Sequence, residues 1–187
     1  MRCRPVRPLL LCFALLLLLG CMPGRDLPPL PPGSAEYRLG PGDAVRLITF
    51  GEDALTGEFR VSDAGTIAVP LLGGVRAAGL TPAELEKSVA DKLKTAKLLQ
   101  DPSVAAEVTA YRPIFVLGEV NKPGQYPYQP GMTVVTAAAV AGGFTYRAIE
   151  GYASVVRTVE GHAMEGKALR QTYLEPGDVV TVFERKF

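Results

Sequence analysis

The 187-residue sequence contains no tryptophan, a single histidine, and three cysteines that all fall within the first 21 positions. Each shortage removes a class of chemistry. His162 has no cysteine partner with which to build a zinc site of the common kinds, and its place beside Gly161 reads as a hairpin turn. No serine stands in a G-x-S-x-G elbow. The pairs Gly73-Gly74 and Gly142-Gly143 lack a Walker lysine, and no G-x-G-x-x-G follows a strand. No cofactor, no metal and no catalytic residue is therefore expected. The acids Glu52, Asp53, Glu58 and Asp63 are close in sequence, and two carboxylates suffice for glycoside hydrolysis. Loop acids with no tryptophan to stack on a sugar ring read instead as solvated surface.

The longest apolar run, Leu9 to Leu19, is shorter than the ~20 residues a spanning helix needs and follows Arg2, Arg4 and Arg7, the layout of a secretory signal. Leu18-Leu19-Gly20-Cys21 resembles a bacterial lipobox, which implies cleavage after residue 20 and lipidation of Cys21. Met22 follows, so the aspartate that retains many lipoproteins in the inner membrane is absent and the outer membrane is favoured. Cys3 and Cys12 would leave with the signal, so no thiol remains for a disulfide, a metal or nucleophilic catalysis. Cleavage also removes three of the 20 basic residues, leaving 17 against 19 acidic ones. That balance argues against nucleic acid as a partner.

Five prolines between Met22 and Ala35 read as an extended tether over 21–36, reaching roughly 40 Å at ~3.1 Å per residue if fully polyproline-like, and equally well as a disordered leader with no mechanical purpose. Two domains are expected after it, at 37–111 and 112–187. Leu39-Gly40-Pro41-Gly42-Asp43 is a turn that launches a strand from Ala44 to Phe50, and Phe59 to Val61 and Thr66 to Leu72 are further strand candidates. Thr81, Pro82 and Glu84 form a complete helix start, with Leu85, Val89 and Leu93 as its buried stripe. The segment 104–111 alternates as a half-buried strand.

Ile114 to Thr145 reads as strand, turn, strand and short helix. Asn121-Lys122-Pro123-Gly124 supplies the turn, with Gly124 expected at positive φ; Thr133 caps the helix and Gly142-Gly143 stops it. Leu174-Glu175-Pro176-Gly177-Asp178 echoes the turn at Pro41, Gly42 and Asp43, with each aspartate expected to tie its own backbone. Tyr126 and Tyr128 are the candidate contacts for a polysaccharide or a neighbouring subunit, although core packing explains them equally well.

The motifs VLGEVNKPGQY, PGMT and AVAGGF resemble the soluble-ligand-binding β-grasp (SLBB) module of the bacterial outer-membrane polysaccharide export proteins, the Wza-type family. YRLGPGDAVRL, VSDAGTIAVPLLGGVRAAGLTPAEL and DPSVAAEV resemble the export domain that precedes it. Together they cover Tyr37 to about Phe183. The resemblance implies an α+β lipoprotein, anchored in the outer membrane and facing the periplasm, that forms a homo-oligomeric conduit for capsular or extracellular polysaccharide. It also implies an inner-membrane polysaccharide co-polymerase or tyrosine kinase as partner. The chain ends nine residues after Asp178, where founding members continue into a pore helix. Either a separate outer-membrane barrel completes the route or the protein is a periplasmic collar. The competing readings are a monomeric carbohydrate-binding or scaffold lipoprotein and a periplasmic polysaccharide-degrading enzyme.

Overall fold

The structure, a computed structural model, describes residues 23–33, 36–159 and 161–186; the leader and Cys21 lie outside them. Among the described residues, ten strands and two α-helices are organised around two separate apolar clusters, an α+β arrangement.

The first cluster is built by β1 (Ala44–Thr49), flanked by antiparallel β2 (Gly57–Arg60) and β5 (Val104–Ala110). A separate hairpin, β3 (Thr66–Val69) and β4 (Gly73–Arg76), replaces the single strand expected from Thr66 to Leu72. The chain reverses at Pro70-Leu71-Leu72, where Leu71 takes φ 64. Helix α1 (Pro82–Thr95) begins at Thr81, whose hydroxyl accepts from the Glu84 N–H while Glu84 accepts from the Thr81 N–H. Leu85, Val89 and Leu93 face inward and are almost wholly buried. Each contributes about 1.5–3 kcal/mol relative to an exposed side chain.

The second cluster lies under a five-stranded sheet ordered β7-β6-β10-β8-β9. Its strands are β6 (Ile114–Gly118), β7 (Gly124–Tyr126), β8 (Tyr152–Val159), β9 (His162–Leu169) and β10 (Val179–Val182). The first and last of these in sequence, β6 and β10, pair in parallel at the centre, and the others pair antiparallel. Helix α2 (Val134–Val140) packs beneath, capped by Thr133. Its C-terminal carbonyls need donors. The Asn121 and Lys122 N–H groups supply them to Gly143 and Ala141 at 3.0 and 2.8 Å, and Asn121 Nδ2 donates to Gly142 at 2.8 Å. The N-K-P-G segment and the A-G-G segment, 20 residues apart, are thus one capping structure.

Gly124 differs from expectation: it opens β7 without a positive φ. The left-handed glycine of this hairpin is Gly118 at φ 80, where a Cβ would lie 2.1 Å from the Val182 carbonyl oxygen.

Residues 23–33 are not a free spacer. They lie along the β-grasp domain, where Lys167 N–H donates to Pro28 O at 2.7 Å and Leu30 N–H donates to Lys167 O at 3.0 Å. Tyr152 Oη donates to Pro23 O at 3.0 Å, and Gly24 sits against the Phe183 ring. An extended proline-rich segment can serve as an edge partner because few of its own N–H groups need pairing. Gly166 makes the approach possible, since a Cβ there would meet the Leu30 backbone at 2.5 Å.

Candidate functional site

The two proline-glycine-aspartate turns have the same construction. Pro41 and Pro176 preset the second turn position, and Gly42 and Gly177 follow at φ 95 and 89. The Asp43 N–H donates to Gly40 O at 3.2 Å, and the Asp178 N–H donates to Glu175 O at 3.1 Å. Each carboxylate then accepts the N–H at the turn's start, Gly40 at 2.7 Å or Glu175 at 2.8 Å. This tie turns both carboxylates inward, leaving Asp43 and Asp178 at 0% and 1% exposure. A carboxylate that dry requires a cation as well as hydrogen bonds.

Two arginines meet that requirement. Arg157 Nε and Nη2 donate to the two oxygens of Asp178 at 3.1 and 2.6 Å, a bidentate pair. Its remaining donors reach Tyr173 O and Pro31 O, and Glu175 lies 3.7 Å away. Burial alone would lower the Arg157 pKa, but the hydrogen bond and charge of Asp178, with the charge of Glu175, outweigh it and raise the value. At the other turn, Asp43 Oδ1 accepts the Arg112 N–H at 2.7 Å, and Oδ2 accepts Arg112 Nη1 at 3.3 Å and the Tyr37 hydroxyl. Burial, then the hydrogen bond and charge of Asp43, push the Tyr37 hydroxyl far above the ordinary phenol range.

Arg112 is the seam between the domains. It sits at the β5–β6 junction, packs against Gly40, and passes so close to Gly177 that a Cβ there would lie 2.8 Å from its Nε. Gly177 N–H also donates to Pro113 O at 3.1 Å. One arginine therefore touches both copies of the turn: Gly42 and Gly177 supply the left-handed backbone, and Gly40 and Gly177 leave the room that its side chain fills. Tyr37, Tyr111 and Tyr128 continue the joint as edge-to-face pairs with centroids 5.0 and 5.5 Å apart.

A cleft of about 1250 Å³ opens along this seam, with Tyr37, Tyr128 and Tyr173 among its lining residues. Tyr173 is exposed, and Tyr128 is partly buried, its hydroxyl raised by burial and then by Tyr111. Arg38, Arg76, Arg112 and Arg157 also line it. Three of these are paired, to Glu84, Asp43 and Asp178; Arg76 has no ion-pair partner among the described residues. The cleft thus combines aromatic faces and polar donors, a surface suited to weak saccharide contacts.

The other sequence candidates fall elsewhere. Tyr126 packs against the β-grasp core and donates its hydroxyl to Lys122 O, apart from the cleft that Tyr128 lines. Pro123 remains in the capping turn. Glu52, Asp53, Glu58 and Asp63 line neither this cleft nor the shallower depression of about 760 Å³ beside α1. Gly161 to Lys167 has the G-x-x-x-x-G-K spacing of a phosphate loop, a pattern that sequence reasoning passed over. It lies in β9 and ends in Ala168 where serine or threonine is needed, so it is no such loop. No group of three metal-ligating side chains occurs among the described residues, and none of their helices is long and apolar enough to cross a membrane.

Fold and seam together define a two-domain α+β protein with a cleft of aromatic faces and polar donors along the joint. Comparison with known families is specific: the polysaccharide biosynthesis/export protein family matches residues 31–109, and the SLBB domain matches residues 113–168. The chain belongs to the polysaccharide export protein family. Its relatives include the exopolysaccharide production protein ExoF of Rhizobium meliloti, 34% identical over 120 residues, covering 58% of this chain and 28% of the relative. The EPS I polysaccharide export outer membrane protein EpsA of Ralstonia nicotianae is 28% identical over 197 aligned residues, covering 86% of this chain and 51% of the relative. The polysialic acid transport protein KpsD of Escherichia coli is 30% identical over 93 residues, 49% of this chain and 16% of the relative. The chain thus spans about half or less of the length of these relatives. The family is one of export proteins and not of enzymes.

Proposed function

We propose that this protein is a lipid-anchored export component of the bacterial envelope, whose copies assemble into a conduit for extracellular or capsular polysaccharide. The observation that carries this reading is the ordered pair of export and SLBB domains, joined through Arg112 with no flexible linker between β5 and β6. A joint of that kind suits a ring, because every subunit must present both domains at one angle. The relatives' names, which specify polysaccharide export, an outer-membrane location and polysialic acid transport, support the envelope and the cargo class.

Sugar polymers must slide, so the walls of a conduit should bind them weakly at many points. Tyr128 and the seam cleft are suited to such contacts; Tyr126 is the other candidate contact, to polymer or to a neighbouring subunit. Cys21 is the proposed lipidated N-terminus in the outer membrane, with the body facing the periplasm. The driving force comes from synthesis and from an inner-membrane co-polymerase or kinase docked to the assembly. The test is the mass of the detergent-extracted lipoprotein at micromolar concentration. A defined oligomer supports the conduit, and a monomer throughout favours the second reading, a carbohydrate-binding lipoprotein using the same cleft.

A further inference from the structure

We propose that the pole of the β-grasp domain formed by Pro23-Gly24, Tyr146-Arg147, Tyr152 and Phe183 rests on the phospholipid headgroup surface and fixes which face of the protein meets the membrane. The inference rests on the reading of Cys21 as the anchor point and adds an orientation to it.

The argument is one of reach. Pro23 is held to the body by Tyr152, and Gly24 by the Phe183 ring, itself packed on Tyr152 with centroids 6.0 Å apart. Only two residue steps separate Pro23 from Cys21, at most about 7 Å of chain at ~3.6 Å per step. A folded body of this size has a radius of gyration of about 15 Å. A link of about 7 Å cannot let such a body turn another face to the lipid, whereas the roughly 40 Å of a free spacer would. The docked strap therefore determines the orientation.

The pole is built to sit there. Residues 146–149 and 183–185 are held together through Ile149 N–H to Phe183 O at 2.8 Å and Arg185 N–H to Arg147 O at 2.7 Å. Tyr146 projects from this pairing at 87% exposure, and tyrosine favours the headgroup level of a bilayer. Charge has a smaller share. The same segments carry Arg25, Arg147, Arg185 and Lys186 against Asp26, Glu150 and Glu184, and Arg147 is paired with Glu184. Phe50 is the reference position: it belongs to the other domain, is exposed just beyond β1, and stands seven steps, about 23 Å of strand, from the seam turn at Asp43.

The missing tryptophan makes the test clean. Tyr146→Trp and Phe50→Trp each introduce the sole indole into a chain that begins at Cys21, whose thiol is then the only one available for coupling to maleimide-headgroup lipid in vesicles. Brominated acyl chains should quench the fluorophore at position 146 at least twofold and leave the one at position 50 unchanged. Equal quenching at the two positions, or none at 146, overturns the orientation. The mass of the natural protein is read separately. Absence of diacylglycerol on Cys21 defeats the anchor reading itself, while the vesicle measurement still decides whether the strap selects this face.

Discussion

The two proline-glycine-aspartate turns look alike in sequence, yet neutralising their aspartates should cost different amounts. Asp178→Asn leaves the Arg157 guanidinium, 3% exposed, without its bidentate partner. Breaking a buried pair in this way costs about 3–5 kcal/mol, mostly the penalty of an orphaned charge. Glu175 at 3.7 Å holds the loss toward the lower end of that range. Asp43→Asn removes charge opposite Arg112, whose side chain is 27% exposed and can recover water. Its cost is that of a charged hydrogen bond, about 1.5–3 kcal/mol. With a urea slope near 2 kcal/mol per molar, the midpoint should fall by about 1.5 M or slightly more for Asp178→Asn and about 1 M for Asp43→Asn, at unchanged slope. Pairing Asp178→Leu with Arg157→Met should recover part of the loss, because no charge is then left buried. Equal shifts, a larger shift for Asp43→Asn, or no recovery in the double variant would refute the assignment of Arg157–Asp178 as the buried pair.

Three further outcomes are expected. Gly118→Ala should destabilise by at least about 1–3 kcal/mol through its positive φ, with the collision at Val182 O adding to it, whereas Gly124→Ala, whose nearest neighbour would be 3.9 Å away, should stay within about 0.5 kcal/mol in the same denaturation assay. Tyr37 binds its proton more tightly when folded, so its contribution is complete below the unfolded value of about 10 and is lost as pH rises above it. Tyr37→Phe should therefore lessen the alkaline loss of stability by about 1.4 kcal/mol per pH unit; an unchanged alkaline profile contradicts the burial of that hydroxyl. Cys21→Ser should move the protein from the membrane to the soluble fraction, and retention by the membrane would remove Cys21 as the anchor.

Much of the framework is written in local signals. Thr81, Pro82 and Glu84 mark the start of α1 because capping is a matter of three or four neighbouring residues, and Thr133 does the same for α2. Pro41-Gly42 and Pro176-Gly177 announce their turns for a similar reason: one residue sets φ and the next accepts the left-handed region. What joins these pieces is less legible. Arg112 lies 69 residues from Asp43, and Arg157 lies 21 from Asp178. The sequence reading had each aspartate tie its backbone, which it does, but nothing local says that a second oxygen must find a buried guanidinium. The duplicated turn was the available clue, since a carboxylate drawn inward needs a counter-charge. The strap was hidden by composition: five prolines suggest a spacer, and only the bare surface of Gly166 reveals that the segment has a seat. Gly118 carries no local mark of its constraint: it ends β6, and its φ and its contact with Val182, 64 residues away, make it the constrained glycine of the hairpin.

The central claim is that this protein moves polysaccharide out of the cell and performs no covalent chemistry on it. The most direct measurement is polymer partition in a strain that lacks this gene and any second homologue, complemented either with the wild type or with an empty vector. The account predicts that surface polymer disappears without the gene and returns with it, while the synthesis machinery inside the cell stays active. Surface polymer at normal levels in the uncomplemented strain would contradict it.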